Sequence, residues 1–189
     1  MDLAAVLKRL QAAQRKQGAP DYDARVEHLT KLEKHLLKRK HDFARAISKD
    51  FGHRSSHETL IAEVFVAAQG IRHTRSHLHE WMATQPRETA FAFLPAKNEL
   101  VPQPLGVIGI ISPWNYPLLL ALGPLTCALG AGNRAMIKPS ELTPETSALL
   151  ADFISEIFDK DHVTVVTGGA DVGAEFSKLP FDHLVFTGS

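Results

Sequence analysis

The sequence has little of several features that would place it in a specialised class of protein. Its 189 residues include a single cysteine, so neither an internal disulfide nor a zinc site of several thiolates can form. Its 21 basic and 21 acidic residues cancel, which argues against a strongly basic nucleic-acid-binding domain. Proline, asparagine or glycine interrupts the apolar runs well before the roughly 18 residues that a membrane span needs. We therefore expect a cytoplasmic protein without a metal, nucleic-acid or membrane partner.

The first 84 residues carry the spacing of amphipathic helices. Apolar residues at positions 3, 6, 7 and 10 form one stripe, and similar stripes predict helices over about 21–49 and 56–83. In the third helix seven apolar residues are expected to face inward: Ile61, Val64, Phe65, Ala68, Ile71, Leu78 and Met82. Residues 1–84 are thus predicted to form an N-terminal helical segment.

Residues 85–105 have a different character from the helices before them. The segment contains four prolines and no helical period. Proline is tolerated at the edges of sheets and in extended connections. We therefore interpret 85–105 as a linker with extended or edge strands.

The second half of the sequence alternates between short apolar strands and helices. Four strands are predicted at 106–111, 135–137, 163–166 and 183–186, with helices at 117–129, 144–158 and 171–178. The second of these helices carries start signals, because Thr143 is a capping residue and Pro144 suits the first helical position. Such alternation predicts an α/β fold with a doubly wound parallel (Rossmann-like) sheet. The last strand is followed only by Thr-Gly-Ser, so we expect the α/β unit to be truncated at residue 189.

Three segments follow predicted strands, where parallel sheets bind their ligands. The first is the turn ISPWNYP, in which two prolines bracket Trp114 and Asn115. A side-chain amide in such a turn could donate a hydrogen bond to a developing oxyanion. The alternative is that Asn115 only caps the following helix and that Trp114 belongs to the core.

The other two segments are KPSE and FTGS. Lys138 and Glu141 could hold a ribose between a cation and a carboxylate, or could form a solvated ion pair in a turn. Gly188 and Ser189 suit a close approach to a phosphate near a helix start.

These segments together resemble the aldehyde dehydrogenase superfamily. The likeness rests on the run QPLGVIGIISPWNYPLLLALGPLTCALGAGNRAMIKPSELTP, followed by VVTGG and FDHLVFTGS, and it covers nearly the whole chain. It is strongest for the class-3-like branch, which includes coniferyl and fatty aldehyde dehydrogenases. The resemblance implies oxidation of an aldehyde, such as an aromatic aldehyde of the coniferyl type, to its carboxylic acid with NAD, or with NADP. It also implies a homodimer in the full-length form.

The resemblance assigns roles to residues that match the family's motifs. Asn115 would be the oxyanion-hole asparagine, and Ser112 and Trp114 would line the nicotinamide side of the cleft. Lys138 and Glu141 would hold the adenine ribose, with the Glu141 carboxylate favouring NAD over NADP. Gly188 and Ser189 would begin the pyrophosphate loop. Residues 1–84 and 106–189 would both belong to the cofactor domain, with oligomerisation strands at 85–105.

The family's catalytic cysteine and general-base glutamate find no match in these 189 residues. Cys127 lies in an apolar helix, so we expect a buried, inert thiol rather than the nucleophile. The sequence therefore predicts that the parent protein is an enzyme and that the 189-residue chain alone is inactive. The alternative is a naturally short, non-catalytic protein that binds a nucleotide or a partner through the same fold.

Overall fold

The computed structural model describes residues 2–188, which form helices at the amino-terminal end and alternating strands and helices after residue 106. The helices are α1 Leu3–Gln17, α2 Tyr22–Asp50, α3 Ser56–Thr59, α4 Val66–Met82, α5 Leu119–Gly130, α6 Pro144–Ile157 and α7 Ala170–Ser177. The strands are β1 Gln85–Arg87, β2 Asn98–Leu100, β3 Val107–Ile111, β4 Arg134–Lys138, β5 Val163–Val165 and β6 His183–Phe186. A π-helical turn, Leu60–Phe65, joins α3 to α4. Across residues 2–188, each helix is too short or too polar to traverse a bilayer.

Strands β3 to β6 form one parallel sheet in the order β5-β4-β3-β6. The chain moves outward from β3 through β4 to β5, and then returns to the other side of β3 with β6. The direction of winding therefore changes between β3 and β6, where Ile111 pairs with Phe186 at the carboxyl ends. Ligands of doubly wound folds bind beyond such a switch point. The predicted α/β architecture is confirmed.

Helices cover both faces of this sheet, and the strand residues alternate between them. Ile108 and Ile110 of β3 pack into the larger core, which α2, α4, α5 and α6 share. Val107 of β3 and Met136 of β4 point to the opposite face, where α1 and α7 pack. This period of two explains why the strands read as continuous apolar runs, since both faces are buried.

The predicted third helix is divided by the π turn, and this changes which residues face inward. Val64, Ala68, Ile71 and Leu78 are buried as predicted, and Met82 is partly buried. The prediction is wrong for Ile61 and Phe65, which are 66% and 56% exposed. A π turn bonds residue i to i+5 instead of i+4, so it shifts the phase of the helix by one residue. The buried residue that results is Glu63.

Strands β1 and β2 form an antiparallel hairpin inside the proline-rich segment. Gln85 pairs with Leu100 and Arg87 with Asn98. All six strand residues are exposed, and within residues 2–188 the hairpin is a sheet of its own, separate from the parallel sheet.

Candidate functional site

The carboxyl ends of β3, β4 and β6 open into one hollow of about 560 Å³. Five of the residues singled out in the sequence share its wall: Ser112, Trp114, Asn115, Glu141 and Gly188. The others that line it are Ile111, Pro113, Leu120, Ser140, Leu142, Phe186 and Thr187. Lys138 lies behind this wall, and Ser189 falls outside the described residues. The hollow sits at the switch point, where a ligand is expected in this fold.

Ser112 begins the bend that connects β3 to α5. Its backbone N–H donates to the carbonyl oxygen of Lys138 at 3.2 Å, which ties the bend to the end of β4. The Ser112 side chain is buried, yet its hydroxyl forms no hydrogen bond with the part of the chain that the structure describes. A buried hydroxyl without a partner is costly unless something else satisfies it. A polar ligand in the hollow would do so.

Asn115 and Trp114 occupy the middle of this bend. The Oδ1 of Asn115 accepts from the N–H of Tyr116 at 3.1 Å, so the amide binds the next residue rather than capping α5. Trp114 is half exposed and stacks at a tilt against Phe51, with 6.1 Å between the ring centroids. The alternative in which Trp114 belongs to the core is therefore wrong. Within residues 2–188, the Asn115 Nδ2 group has no hydrogen-bond partner and stays available as a donor.

Lys138 and Glu141 form an ion pair at the end of β4. The Lys138 Nζ donates to the carbonyl oxygen of Pro139 at 2.8 Å and to Glu141 Oε2 at 3.3 Å. The Lys138 side chain is buried, whereas that of Glu141 is partly exposed in the wall of the hollow. A hydrogen bond from its own backbone amide and the pairing with Lys138 lower the pKa of Glu141. The lysine thus supports an ionised carboxylate, and only the carboxylate reaches the hollow.

Gly188 follows β6 with a φ of 153°, a conformation that side-chain-bearing residues rarely adopt. A Cβ at this position would come within 3.1 Å of the Phe186 ring. Glycine therefore allows the backbone beyond β6 to lie close to the hollow.

Cys127 corrects one expectation from the sequence. The thiol is exposed, not buried, because α5 is apolar on every side but is covered by the core on only part of its surface. Cys127 lines a separate, mainly apolar groove of about 600 Å³ between α4 and α5. It shares no wall with the hollow that contains Asn115.

Two charged residues that the sequence analysis did not single out lie directly behind the bend. Arg54 Nη1 donates to the carbonyl oxygen of Asn115 at 2.8 Å. Glu63 Oε2 accepts from the N–H groups of Leu118 at 2.8 Å and Leu119 at 3.1 Å. Burial raises the pKa of Glu63. Glu63 could have been noticed as a charge beside an inward position of an apolar helix, whereas nothing in the sequence marks Arg54.

Comparison with known proteins places this geometry in a family. The family model described as the aldehyde dehydrogenase family matches residues 1–189. A probable coniferyl aldehyde dehydrogenase of Pseudomonas aeruginosa is 49% identical over 187 residues, covering 99% of this chain and 39% of that protein. A coniferyl aldehyde dehydrogenase of Pseudomonas sp. strain HR199 is 45% identical over 186 residues, covering 98% of this chain and 38% of that protein. The chain thus spans less than half the length of these relatives.

A solved structure agrees with these sequence matches. The substrate-bound state of Staphylococcus aureus AldH superposes with a TM-score of 0.94 at 33% identity. The superposition covers 98% of this chain and 40% of that one. The chain belongs to the aldehyde dehydrogenase family.

Proposed function

We propose that this chain supplies the cofactor cleft and the oxyanion donor of an enzyme that oxidises an aldehyde to its carboxylic acid with NAD. One observation carries the proposal: Ser112, Trp114, Asn115, Glu141 and Gly188 line a single hollow at the switch point of a parallel sheet. The relatives named above are coniferyl aldehyde dehydrogenases, so an aromatic aldehyde of the coniferyl type is the proposed substrate.

The residues around the hollow fit a dinucleotide. The Ser112 hydroxyl is buried without a partner within residues 2–188, and Gly188 leaves room for a close approach of the backbone. The Glu141 carboxylate, whose pKa is lowered by its own backbone amide and by Lys138, would accept hydrogen bonds from ribose hydroxyls. Its charge would repel a 2′-phosphate, so NAD is the preferred cofactor and NADP the weaker one. When bound, the dinucleotide supplies the hydride acceptor of the reaction.

Asn115 would stabilise the transition state. As a thiolate adds to the aldehyde carbon, negative charge develops on the aldehyde oxygen. Among the residues that the structure describes, Asn115 Nδ2–H has no partner and could donate to that oxygen, while Oδ1 accepts from the Tyr116 N–H. Such a fixed donor acts where the charge develops and needs little reorganisation during the reaction.

Cys127 would not supply that thiolate. It is the single cysteine of the 189 residues and lines a groove separate from the hollow. We therefore expect the 189-residue chain to lack dehydrogenase activity on its own. The activity is proposed for the product of the complete reading frame that encodes this chain.

The test is aldehyde-dependent reduction of NAD by the complete reading-frame product, followed at 340 nm with coniferyl aldehyde and an aliphatic aldehyde. We expect turnover with wild type and a fall in kcat of roughly 100-fold or more in Asn115→Ala, the usual loss for one oxyanion donor. Gln69→Ala, which removes an exposed side-chain amide of α4 outside the lining of the hollow, is the control and should keep full activity.

Two results would contradict the proposal. A folded wild-type product that reduces neither NAD nor NADP with any aldehyde tested would exclude the function. Wild-type turnover with an equally active Asn115→Ala variant would exclude the role of Asn115 while leaving the family's reaction in place.

A further inference from the structure

Two buried charged side chains hold the bend that carries Asn115, one at its middle and one at its far end. At its far end, the first amides of α5 have no partner within their own helix, as in any α-helix. Leu118, the residue before α5, offers no side-chain cap. The Glu63 carboxylate takes this place, since its Oε2 accepts from the N–H groups of both Leu118 and Leu119.

Arg54 holds the middle of the bend. Its Nη1 donates to the carbonyl oxygen of Asn115 at 2.8 Å. Its guanidinium lies 4.9 Å from the ring centroid of Phe51 and 4.7 Å from that of Tyr116. An arginine between two aromatic rings, with its planar donors directed at a carbonyl, has little freedom to move.

Arg54 and Glu63 also contact each other. Arg54 Nη1 lies 3.5 Å from Glu63 Oε1, and Arg54 Nη2 lies 3.0 Å from a carboxylate oxygen of Glu58. The side chain of Arg54 is 7% exposed and that of Glu63 is fully buried. The two side chains and the bend therefore form one connected unit, in which the position of the Asn115 backbone depends on both.

The helix departs from regular geometry to bring Glu63 to this position. The π turn Leu60–Phe65 buries Glu63 and leaves two large apolar residues, Ile61 and Phe65, exposed. Burying a carboxylate while exposing apolar surface opposes folding. π turns of this kind are common at functional sites. The hydrogen bonds that Glu63 accepts from the end of the bend offset this unfavourable burial.

We propose that Arg54 and Glu63 are positioning residues, which fix the bend so that the Asn115 amide faces the aldehyde oxygen. The inference rests on the proposed function, because it assigns the pair to the oxyanion donor of that reaction. Arg54 restrains the peptide that follows Asn115, and the Tyr116 N–H at that peptide binds Asn115 Oδ1. A shift of this peptide would turn the Nδ2 group away from its target, and small misplacements of such donors are costly.

The test compares variants of the complete reading-frame product in steady-state kinetics. We expect Arg54→Met to lower kcat about tenfold while the KM for NAD stays within about twofold, since the pair acts on the donor and not on the cofactor. Arg54→Lys keeps the charge and one donor, so it should recover part of kcat. Arg45→Met is the matched control, because Arg45 is an exposed arginine of α2 that pairs only with Asp42 within residues 2–188.

A double-mutant cycle of Arg54→Met and Asn115→Ala separates a positioning role of Arg54 from a general effect on the stability of the protein. If Arg54 acts through Asn115, adding Arg54→Met to Asn115→Ala should lower kcat by no more than about twofold further. Full multiplication of the two effects, or an Arg54→Met variant as fast as Arg45→Met, would overturn the inference while leaving the dehydrogenase function intact. An inactive wild type, or an Asn115→Ala variant with full activity, would overturn the proposed roles themselves.

Glu63→Gln tests the same positioning role if the Arg54→Met variant does not fold. Glutamine retains an oxygen that can accept from the amides of Leu118 and Leu119, but it loses the charge that faces Arg54. We expect a smaller fall in kcat, of about threefold, that again disappears in the Asn115→Ala background. A fall that persists unchanged in that background would overturn the inference.

Discussion

Asp50, the last residue of α2, caps the start of α6 by binding Thr146. Its Oδ2 accepts from the Thr146 N–H at 2.8 Å and from the Thr146 hydroxyl at 2.6 Å, and its Oδ1 accepts from the N–H of Glu145 at 3.0 Å. Thr143 stands at the N-cap position, as the sequence predicts, but its side chain makes no capping bond. The Asp50 carboxylate, from another helix, caps α6 instead. Its negative charge also lies at the positive end of the α6 dipole, which is stabilising.

Asp50→Ala should lower the free energy of unfolding by about 2 kcal/mol, because three hydrogen bonds to a charged cap are lost at once. Urea denaturation of the chain, followed by circular dichroism, measures this difference. Asp152→Ala removes the same charge from an exposed position of α6 and should change stability by less than about 0.5 kcal/mol. Equal effects of the two substitutions would show that the cap contributes nothing specific.

The cap illustrates what the sequence could and could not predict. Local signals, such as the alternating apolar pattern and the helix start at Pro144, were sufficient for the sheet, its order of elements and the position of the hollow. Asp50 and Thr146 are 96 positions apart, and no local pattern reports that they meet. The contacts of Arg54 with Asn115 and of Glu63 with Leu118 also join distant positions, so the sequence could mark Glu63 as an unusual charge without showing what it binds. The π turn that exposes Ile61 has no signature in apolar periodicity.

A pair of histidines makes the stability of the chain depend on pH. The rings of His28 and His162 lie 4.4 Å apart, beside Phe158 and near Arg134. Burial, with the nearby positive charges of His28 and Arg134, lowers the pKa of His162 to about 3. Burial also lowers the pKa of His28, which Glu27 partly offsets.

The His162 ring is therefore neutral in the folded chain at pH values where the same ring of the unfolded chain binds a proton, and the pKa of His28 shifts in the same direction. Between about pH 6.5 and the folded pKa near 3, the unfolded state holds more protons, so stability falls as the pH falls. We expect this difference in proton binding at His162 to lower the free energy of unfolding by about 2 kcal/mol at pH 5 relative to pH 8. Urea denaturation at several pH values should give a flatter profile for His162→Asn, while His41→Asn, an exposed histidine of α2, should follow wild type. A wild-type stability that stays constant from pH 8 to pH 5 would contradict this prediction.

Glu141→Gln should shift cofactor preference toward NADP. The partly exposed carboxylate faces the hollow, so its removal abolishes the repulsion of a 2′-phosphate. We expect the ratio of kcat/KM for NADP to that for NAD to rise about tenfold, equivalent to roughly 1.4 kcal/mol. Glu145→Gln removes a carboxylate that pairs with Lys49 away from the hollow and should leave the ratio unchanged. The prediction fails if the two variants show the same ratio in the complete reading-frame product.

Cys127 should react with a thiol reagent while the chain remains folded. Its side chain lies on the exposed surface of α5 in the groove against α4, and it is the chain's single cysteine, so one equivalent of label is expected. Ellman's reagent should label the same number of thiols per chain in buffer as in 8 M urea. Labelling in buffer should reach completion while the chain stays folded. Cys127→Ser provides the blank and should leave stability within about 0.5 kcal/mol of wild type, since an exposed site tolerates a polar atom. Labelling that appears only after denaturation would show that the thiol is buried in the folded chain.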